Sequence, residues 1–362
     1  MRPAEPATLT VSTPGRICLF GEHQDYLDLP VISCAISLRL TIAGHYRQDR
    51  NILLRAPDLN STATISLESP AREGGGRDYF RSGLKVLRAE GFTFSRGIEC
   101  VVSGAIPIAA GTSSSSALVV SWINLLARMS DQHKELSPDE CARLAYEAEV
   151  VELGGPGGRM DQYGTALGGV QHQIFSPDVR IERLTPAFGA FVLGDSLEPK
   201  NTSAVLSGVK DRVLRLISGI SARDPRFSLL SASSEDPGRL VPALDAGDRS
   251  LLAATLRNRD ITREGLAVLR RSPLDEHAFG ELLNEQQAIL RDSLRVSTPK
   301  IDRMIGAALD AGALGGKLNG SGGGGCMFVY APARTDEVAG AIGRAGGNPY
   351  VVHCDGGTRA EA

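Results

Sequence analysis

The sequence predicts a soluble globular protein that mixes strands with helices and is large enough for two domains. Three observations carry this. The chain has 362 residues, of which 42% are hydrophobic and 22% charged, so each of two ordinary domains can bury a sizeable core. Period-two runs rich in β-branched residues dominate the first hundred positions, whereas later segments repeat with helical period. Between them residues 106–118, I-P-I-A-A-G-T-S-S-S-S-A-L, run straight into an apolar-periodic segment at 119–129, as a loop opening a helix would.

Charge and cysteine usage narrow the function. A formal net charge of −3, with no lysine-arginine cluster, gives no reason to expect nucleic acid or an anionic membrane as partner. Six cysteines (Cys18, Cys34, Cys100, Cys141, Cys326 and Cys354) lack C-x-x-C or Cys/His metal spacing, which suits reduced thiols better than a disulfide framework or structural zinc. The start, M-R-P-A-E-P-A-T, has no apolar stretch of signal-peptide type, and no run approaches the ~20 apolar residues of a membrane span. A cytoplasmic location is expected.

In chain order, residues 8–12 alternate as a strand that breaks at Pro14-Gly15, and a second strand resumes over 16–20, stopping at Gly21. The turn that follows carries Glu22, His23, Asp25 and Tyr26, a set of hydrogen-bonding groups able to grip hydroxyls or simply to face water. Residues 31–36, 38–42 and 52–67 read as strand around polar turns, 78–90 as a helix, and 97–102 as the strand entering the serine loop. Gly74 to Gly76 mark an exposed loop.

In the serine loop Gly111 permits close backbone approach. Ser113, Ser114, Ser115 and Ser116 sit where a helix leaves its first N–H groups without internal partners, so the stretch is either an anion site or a serine-rich cap. No G-x-x-x-x-G-K-[ST] spacing occurs, which removes the lysine clamp of the usual phosphate loop. The helix beyond buries Leu118, Trp122, Leu126 and Met129 on one face.

Ser137, Pro138 and Glu140 form a capping box that starts the next helix, expected to end at Gly154-Gly155. Glu147, Glu149 and Glu152 near its end oppose the helix dipole, which points to a metal, a functional load or a merely solvated face. Asp161 follows the glycine-rich turn G-G-P-G-G-R-M and fits no simple helix or strand pattern, which favours function.

Residues 187–193 form a strand leading to Asp195, and the boundary between domains 1–186 and 187–362 is placed there. Helical stretches follow at 201–216, 239–271 and 274–294, and another begins at Ser297-Thr298-Pro299 and ends at Gly312. Finally G-G-K-L-N-G-S-G-G-G-G-C over 315–326 precedes a strand at 327–330. Its G-x-G-x-x-G match therefore fails the context of a dinucleotide fingerprint and reads as a tight backbone loop. Residues 355–362 read as a frayed end.

Three motifs in this order, P-G-R-I-C-L-F-G-E-H-Q-D-Y, the I-P-x-x-x-G-T-S-S-S-S-A loop and G-G-K-L-N-G-S-G-G-G-G-C, resemble those of the GHMP kinases, and together they span residues 14–326. The resemblance implies an α+β fold of two domains, the first ribosomal-protein-like and the second ferredoxin-like, with substrate and ATP meeting between them. It implies Asp161 as acceptor of the substrate hydroxyl proton, in G-R-M-D-Q as in galactokinases, with Arg16 beside it. Pro107, Gly111 and Ser113 to Ser116 would cradle the triphosphate together with Gly320, Gly322 and Gly323. Ser115 and Glu149, twelve positions before Asp161, would hold Mg2+. Glu22, His23, Asp25 and Tyr26, with Asp195, would hold the acceptor. Phosphoryl transfer needs alignment and charge neutralisation more than covalent catalysis, which suits this set.

G-E-H-Q-D-Y and M-D-Q resemble galactokinase, whereas L-P-V-I-S-C-A-I, V-S-T-P-K-I-D and D-S-L-E-P-K-N-T resemble mevalonate kinases and related sugar kinases. The leading expectation is an ATP- and Mg2+-dependent kinase of a monosaccharide, acting at the anomeric hydroxyl. A mevalonate-type kinase, a non-catalytic ligand sensor and, more distantly, an oxidoreductase are the rivals.

Overall fold

The computed structural model describes residues 8–68, 78–108, 110–155, 157–199, 202–233 and 244–361, without the side chains of 202–207. The loop expected at Gly74 to Gly76 and the starts of the helical stretches at 201 and 239 lie outside these residues.

Strand β1 (Leu9–Phe20) pairs antiparallel with β2 (Val31–Tyr46). The expected break at Pro14-Gly15 is instead a shift of register within one strand, because a bulge accommodates the missing proline N–H without ending the ladder. Gly15 is required there: a Cβ would stand 2.9 Å from the Thr112 carbonyl oxygen. Likewise the strands expected at 31–36 and 38–42 form the single β2.

Next come β3 (Asn51–Ala56), β4 (Ser61–Ser66), helix α1 (Tyr79–Ala89) and β5 (Ile98–Gly104), with β3 and β5 parallel. Helix α2 (Ser114–Met129) is buried on nearly all sides by α1, by the sheet and by α3 (Pro138–Tyr146). The expected amphipathic face is thus almost a whole circumference, and Leu118 is only partly buried. The Ser137 capping box forms as expected, with Glu140 N–H to Ser137 Oγ at 3.2 Å and Ser137 N–H to Glu140 Oε2 at 2.9 Å. Helix α3 widens into a π turn at Glu147–Val151. Helix α4 (Met160–Leu167), β6 (Val170–Ile174) and β7 (Arg180–Leu184) complete the first half.

The second half begins with β8 (Phe191–Asp195), followed by helices α5 (Thr202–Arg223), α6 (Ala246–Leu269), α7 (Glu276–Ala288) and α8 (Pro299–Asp310). Then come β9 (Gly315–Leu318), β10 (Cys326–Tyr330), α9 (Thr335–Arg344), β11 (Asn348–Val352) and β12 (Arg359–Glu361).

Two sheets organise the molecule. The eight-stranded one runs β12-β1-β2-β5-β3-β4, with β6 on β2 and β7 on β6. The four-stranded antiparallel one runs β11-β8-β10-β9, which in its own chain order is the 4-1-3-2 of a ferredoxin-like sandwich. The fold is therefore α+β in two layered halves, as the motifs imply. One apolar cluster joins them: Ile17, Leu19, Phe20 and Ile32 pack with Phe191, Leu193, Phe328 and Tyr330.

The chain end corrects an expectation. Residues 355–361 do not fray. Glu361, Ala360 and Arg359 pair with Thr10, Val11 and Ser12 of β1, and Arg39 bonds Asp355 Oδ2 at 2.7 Å and the Gly357 carbonyl at 2.8 Å. Edge hydrogen bonds and a part-buried ion pair outweigh the polar, glycine-containing composition that suggested fraying.

Candidate active site

Strand β1 carries Arg16 under the serine loop. The side chain, 3% exposed, reaches Asp161 Oδ1 with Nε at 2.8 Å and Nη2 at 2.6 Å, while Nη1 donates to the Gly111 carbonyl at 2.7 Å. Burial pulls the guanidinium down, but Asp161, Cys18 and Glu22 together outweigh it and leave its proton affinity above the ordinary value. Asp161, one-third exposed, occupies the first turn of α4 rather than an irregular loop, where the helix dipole favours a carboxylate.

Ser113 takes a left-handed conformation, φ +60°, and α2 starts at Ser114 with no side-chain cap. Ser113 Oγ is buried without a hydrogen-bond partner, and Ser116 Oγ is buried within reach of Glu149. A hydroxyl left unpaired beside uncapped helix N–H groups is arranged for a ligand instead of for the helix itself. Pro107 is buried at the start of this loop, and its carbonyl accepts from Thr112 Oγ1 at 3.3 Å.

Glu149, 8% exposed, sits in the π turn and faces the same hydroxyls. Burial pushes its carboxyl up, against the Ser115, Ser116 and Gln162 groups that bond its charged form; the Gln162 amide lies at 2.6 Å. The solvated-face reading of Glu149 is therefore excluded. Glu149 continues the inward face of Ala142 and Ala145, seven and four positions earlier, and the π turn carries it.

In the first turn Glu22 points inward and pairs with Lys317 of β9. His23, at φ +62°, lies between the Tyr26 hydroxyl (Nδ1, 3.1 Å) and the Ser321 carbonyl (Nε2, 3.2 Å). Asp25 is half-buried and held against the segment leading to Asp161: a Cβ on Gly158 would stand 2.1 Å from its Oδ2. Burial, and then the Asp161 charge, raise the Asp25 carboxyl from 3.8 to about 6. Burial and the neighbouring Asp25 also raise the Tyr26 phenol, and Lys210 Nζ stands 5.6 Å over its ring.

The glycine loop packs on the serine loop. Gly320 faces Gly111, whose carbonyl oxygen would be 3.0 Å from an added Cβ, and Cys326 N–H reaches the Ala110 carbonyl at 2.6 Å. Gly322 and Gly323 turn towards Val296, with the Gly323 N–H taken by the Val296 carbonyl at 2.7 Å. Asp195 at the end of β8 accepts the Leu197 N–H at 2.9 Å, and no bond described for it reaches Arg16 or Asp161.

Sequence reasoning did not single out Lys317, Asn319 or Gly158. Asn319 ties the loops together, taking the Cys18 N–H at 2.9 Å and donating to the Gly111 carbonyl at 2.9 Å. The signal was in the motif: a lysine and an asparagine amid glycines and apolar residues must find buried partners.

Residues 78–169 match the profile of the GHMP kinases N terminal domain, 263–348 that of GHMP kinases C terminal, and 3–46 the galactokinase galactose-binding signature. The chain is 29% identical over 359 residues to a mevalonate kinase of Pyrococcus abyssi, covering 96% of each. It is also 29% identical over 347 residues to a galactokinase of Haemophilus influenzae, covering 90% of this chain and 85% of that one. Among solved structures, Lactococcus lactis galactokinase complexed with galactose superposes with a TM-score of 0.85 at 22% identity, covering 97% and 95% of the two chains. Methanococcus jannaschii mevalonate kinase gives 0.75 at 21%, covering 98% and 99%.

Proposed function

The chain belongs to the GHMP kinases, phosphotransferases that take phosphate from ATP to a hydroxyl group, and we propose that its acceptor is a monosaccharide phosphorylated at the anomeric hydroxyl. The observation that carries this is Asp25. Its carboxylate lies against Gly158, three positions from Asp161, so two carboxylates meet where the acceptor would lie. Such a pair suits a ligand with several adjacent hydroxyls and leaves an apolar acceptor carbon poorly matched. The match of residues 3–46 to a galactose-binding signature agrees.

In this reading Asp161 takes the acceptor proton and Arg16 orients that carboxylate through two close contacts. Pro107, Gly111 and Ser113 to Ser116 cradle the phosphates, backed by Gly320, Gly322 and Gly323. Asp25, His23 and Tyr26 contact the sugar. Ser115 and Glu149 fit Mg2+: they are hard oxygen donors that face each other, with the Ser116 hydroxyl reaching the same carboxylate. Bound there, the cation would neutralise phosphate charge. Residues 1–186 and 187–362 would act as the two lobes of a cytoplasmic enzyme. No described helix is long and apolar enough to cross a membrane.

The rival acceptor is mevalonate, favoured by the length-wide likeness to the Pyrococcus abyssi protein. ADP release measured over a panel of hexoses, pentoses, heptoses and mevalonate separates the two, and NMR of the product locates the phosphate. Turnover of mevalonate with every sugar inert would sink the sugar reading.

A further inference from the structure

We propose that Lys317 is a positioning residue for acceptor recognition, turning Glu22 into a buried strut that shapes the acceptor turn at residues 21–27. This rests on the reading of that turn as the acceptor site. Lys317 is 0% and Glu22 1% exposed, and the two side chains form an ion pair. The remaining ammonium donors go to the Cys18 carbonyl at 2.9 Å and the Leu318 carbonyl at 3.3 Å. An ammonium has three donors, so none is left for a phosphate or a sugar. Both Glu22 carboxylate oxygens are buried, and the partner described for them is the Lys317 ammonium, which pairs with Oε1. A charge so deeply buried persists only with its partner.

The pair is one of several ties that run to this turn from the second half of the chain. Asn258 Nδ2 donates to the Glu22 carbonyl at 2.9 Å, Thr262 Oγ1 to Gln24 Oε1 at 3.3 Å, and His23 Nε2 faces the Ser321 carbonyl. The turn needs such support. His23 is a non-glycine residue at φ +62°, and Gly21, at φ +100°, lies so close to Val31 that a Cβ would be 2.9 Å from its Cγ1. Backbone of this kind persists only where its surroundings over-determine it. The shape so held places Asp25 against Gly158. Lys317 thus acts on the acceptor through Glu22 and the turn, without touching it.

A double-mutant cycle with Glu22→Gln, Lys317→Met and both together tests this. Each single change leaves a buried group without its counterpart, and the acceptor KM is expected to rise ~10-fold or more while the ATP KM stays within about twofold. The double variant buries no unpaired charge, and its acceptor KM should return to within a few-fold of wild type. An unchanged acceptor KM in Lys317→Met would overturn the proposal. So would a Glu22→Gln effect that persists in full in the double variant, since Glu22 would then touch the acceptor itself. If either single variant fails to fold, the double decides by the same criterion. The cycle uses whichever acceptor the panel identifies: mevalonate as that acceptor would refute the sugar reading, and the cycle would still report on the strut.

Discussion

Asp25→Asn separates function from stability in one side chain. Burial and the Asp161 charge raise this carboxyl from 3.8 to about 6, so the folded protein disfavours its ionised form. The sign follows from proton linkage. Between the two values the folded state binds more proton than the unfolded one, so the charge costs nothing below pH 3.8, grows as pH rises, and is fully felt above about 6. At ~1.36 kcal/mol per pKa unit the upper limit is about 3 kcal/mol, and solvent screening of a half-buried group brings this to about 1–2. Asparagine carries no charge and can keep the bond that Asp25 Oδ1 accepts from the Tyr26 N–H at 3.0 Å. The variant should therefore melt a few degrees higher than wild type at pH 7.5, with the gain vanishing near pH 4. Its kcat/KM for the sugar should fall ~10-fold or more, the scale of one charged hydrogen bond, with the ATP KM unchanged. In the wild type kcat/KM for the acceptor should decline as pH drops below about 6, where Asp25 takes up a proton. Thermal melts and acceptor kinetics over pH 4–8 read both effects. A less stable asparagine variant with unaltered sugar kinetics would refute the placement of Asp25 as a strained acceptor-binding carboxylate.

Asp161→Asn should lower kcat by ~10²–10⁴ while retaining nucleotide binding, because the amide keeps the shape but takes no proton; near wild-type turnover would remove it from the mechanism. Ser115→Ala and Glu149→Gln should each weaken apparent Mg2+ affinity and be partly rescued by excess metal; magnesium titrations superimposing on wild type would locate the metal elsewhere. Gly158→Ala puts a methyl 2.1 Å from Asp25 Oδ2 and must displace that carboxylate, so the acceptor KM should rise with little change in the ATP KM. An unaltered acceptor KM there would show that the contact does not matter to recognition.

Much of the site was legible because its chemistry is local. The serine loop announces itself by glycine, serines and the helical period after them, and the Ser137 capping box is visible three residues apart. Glu149 stayed ambiguous for a physical reason. Charge at a helix end looks the same in sequence whether it faces water or the core, and only the serine loop and Gln162, folded against it, make a buried carboxylate of Glu149. Asp195 drew attention as a polar residue ending a strand, yet the bond described for its side chain serves its own turn.

By itself the sequence determined the mixed strand and helix content, the order of three motifs and hence the family, since glycine placement, capping and apolar period are set by neighbours along the chain. The tertiary structure decided what joins those motifs. Lys317 meets Glu22 from 295 positions away, and Asn319 binds the serine loop from 208 away. The last residues return to β1, and Asp25 acquires a raised proton affinity from its burial and, after that, from the Asp161 charge that the fold brings near it. Burial and charge pairing depend on distance in space, and no periodicity along the chain encodes which distant partner closes the gap.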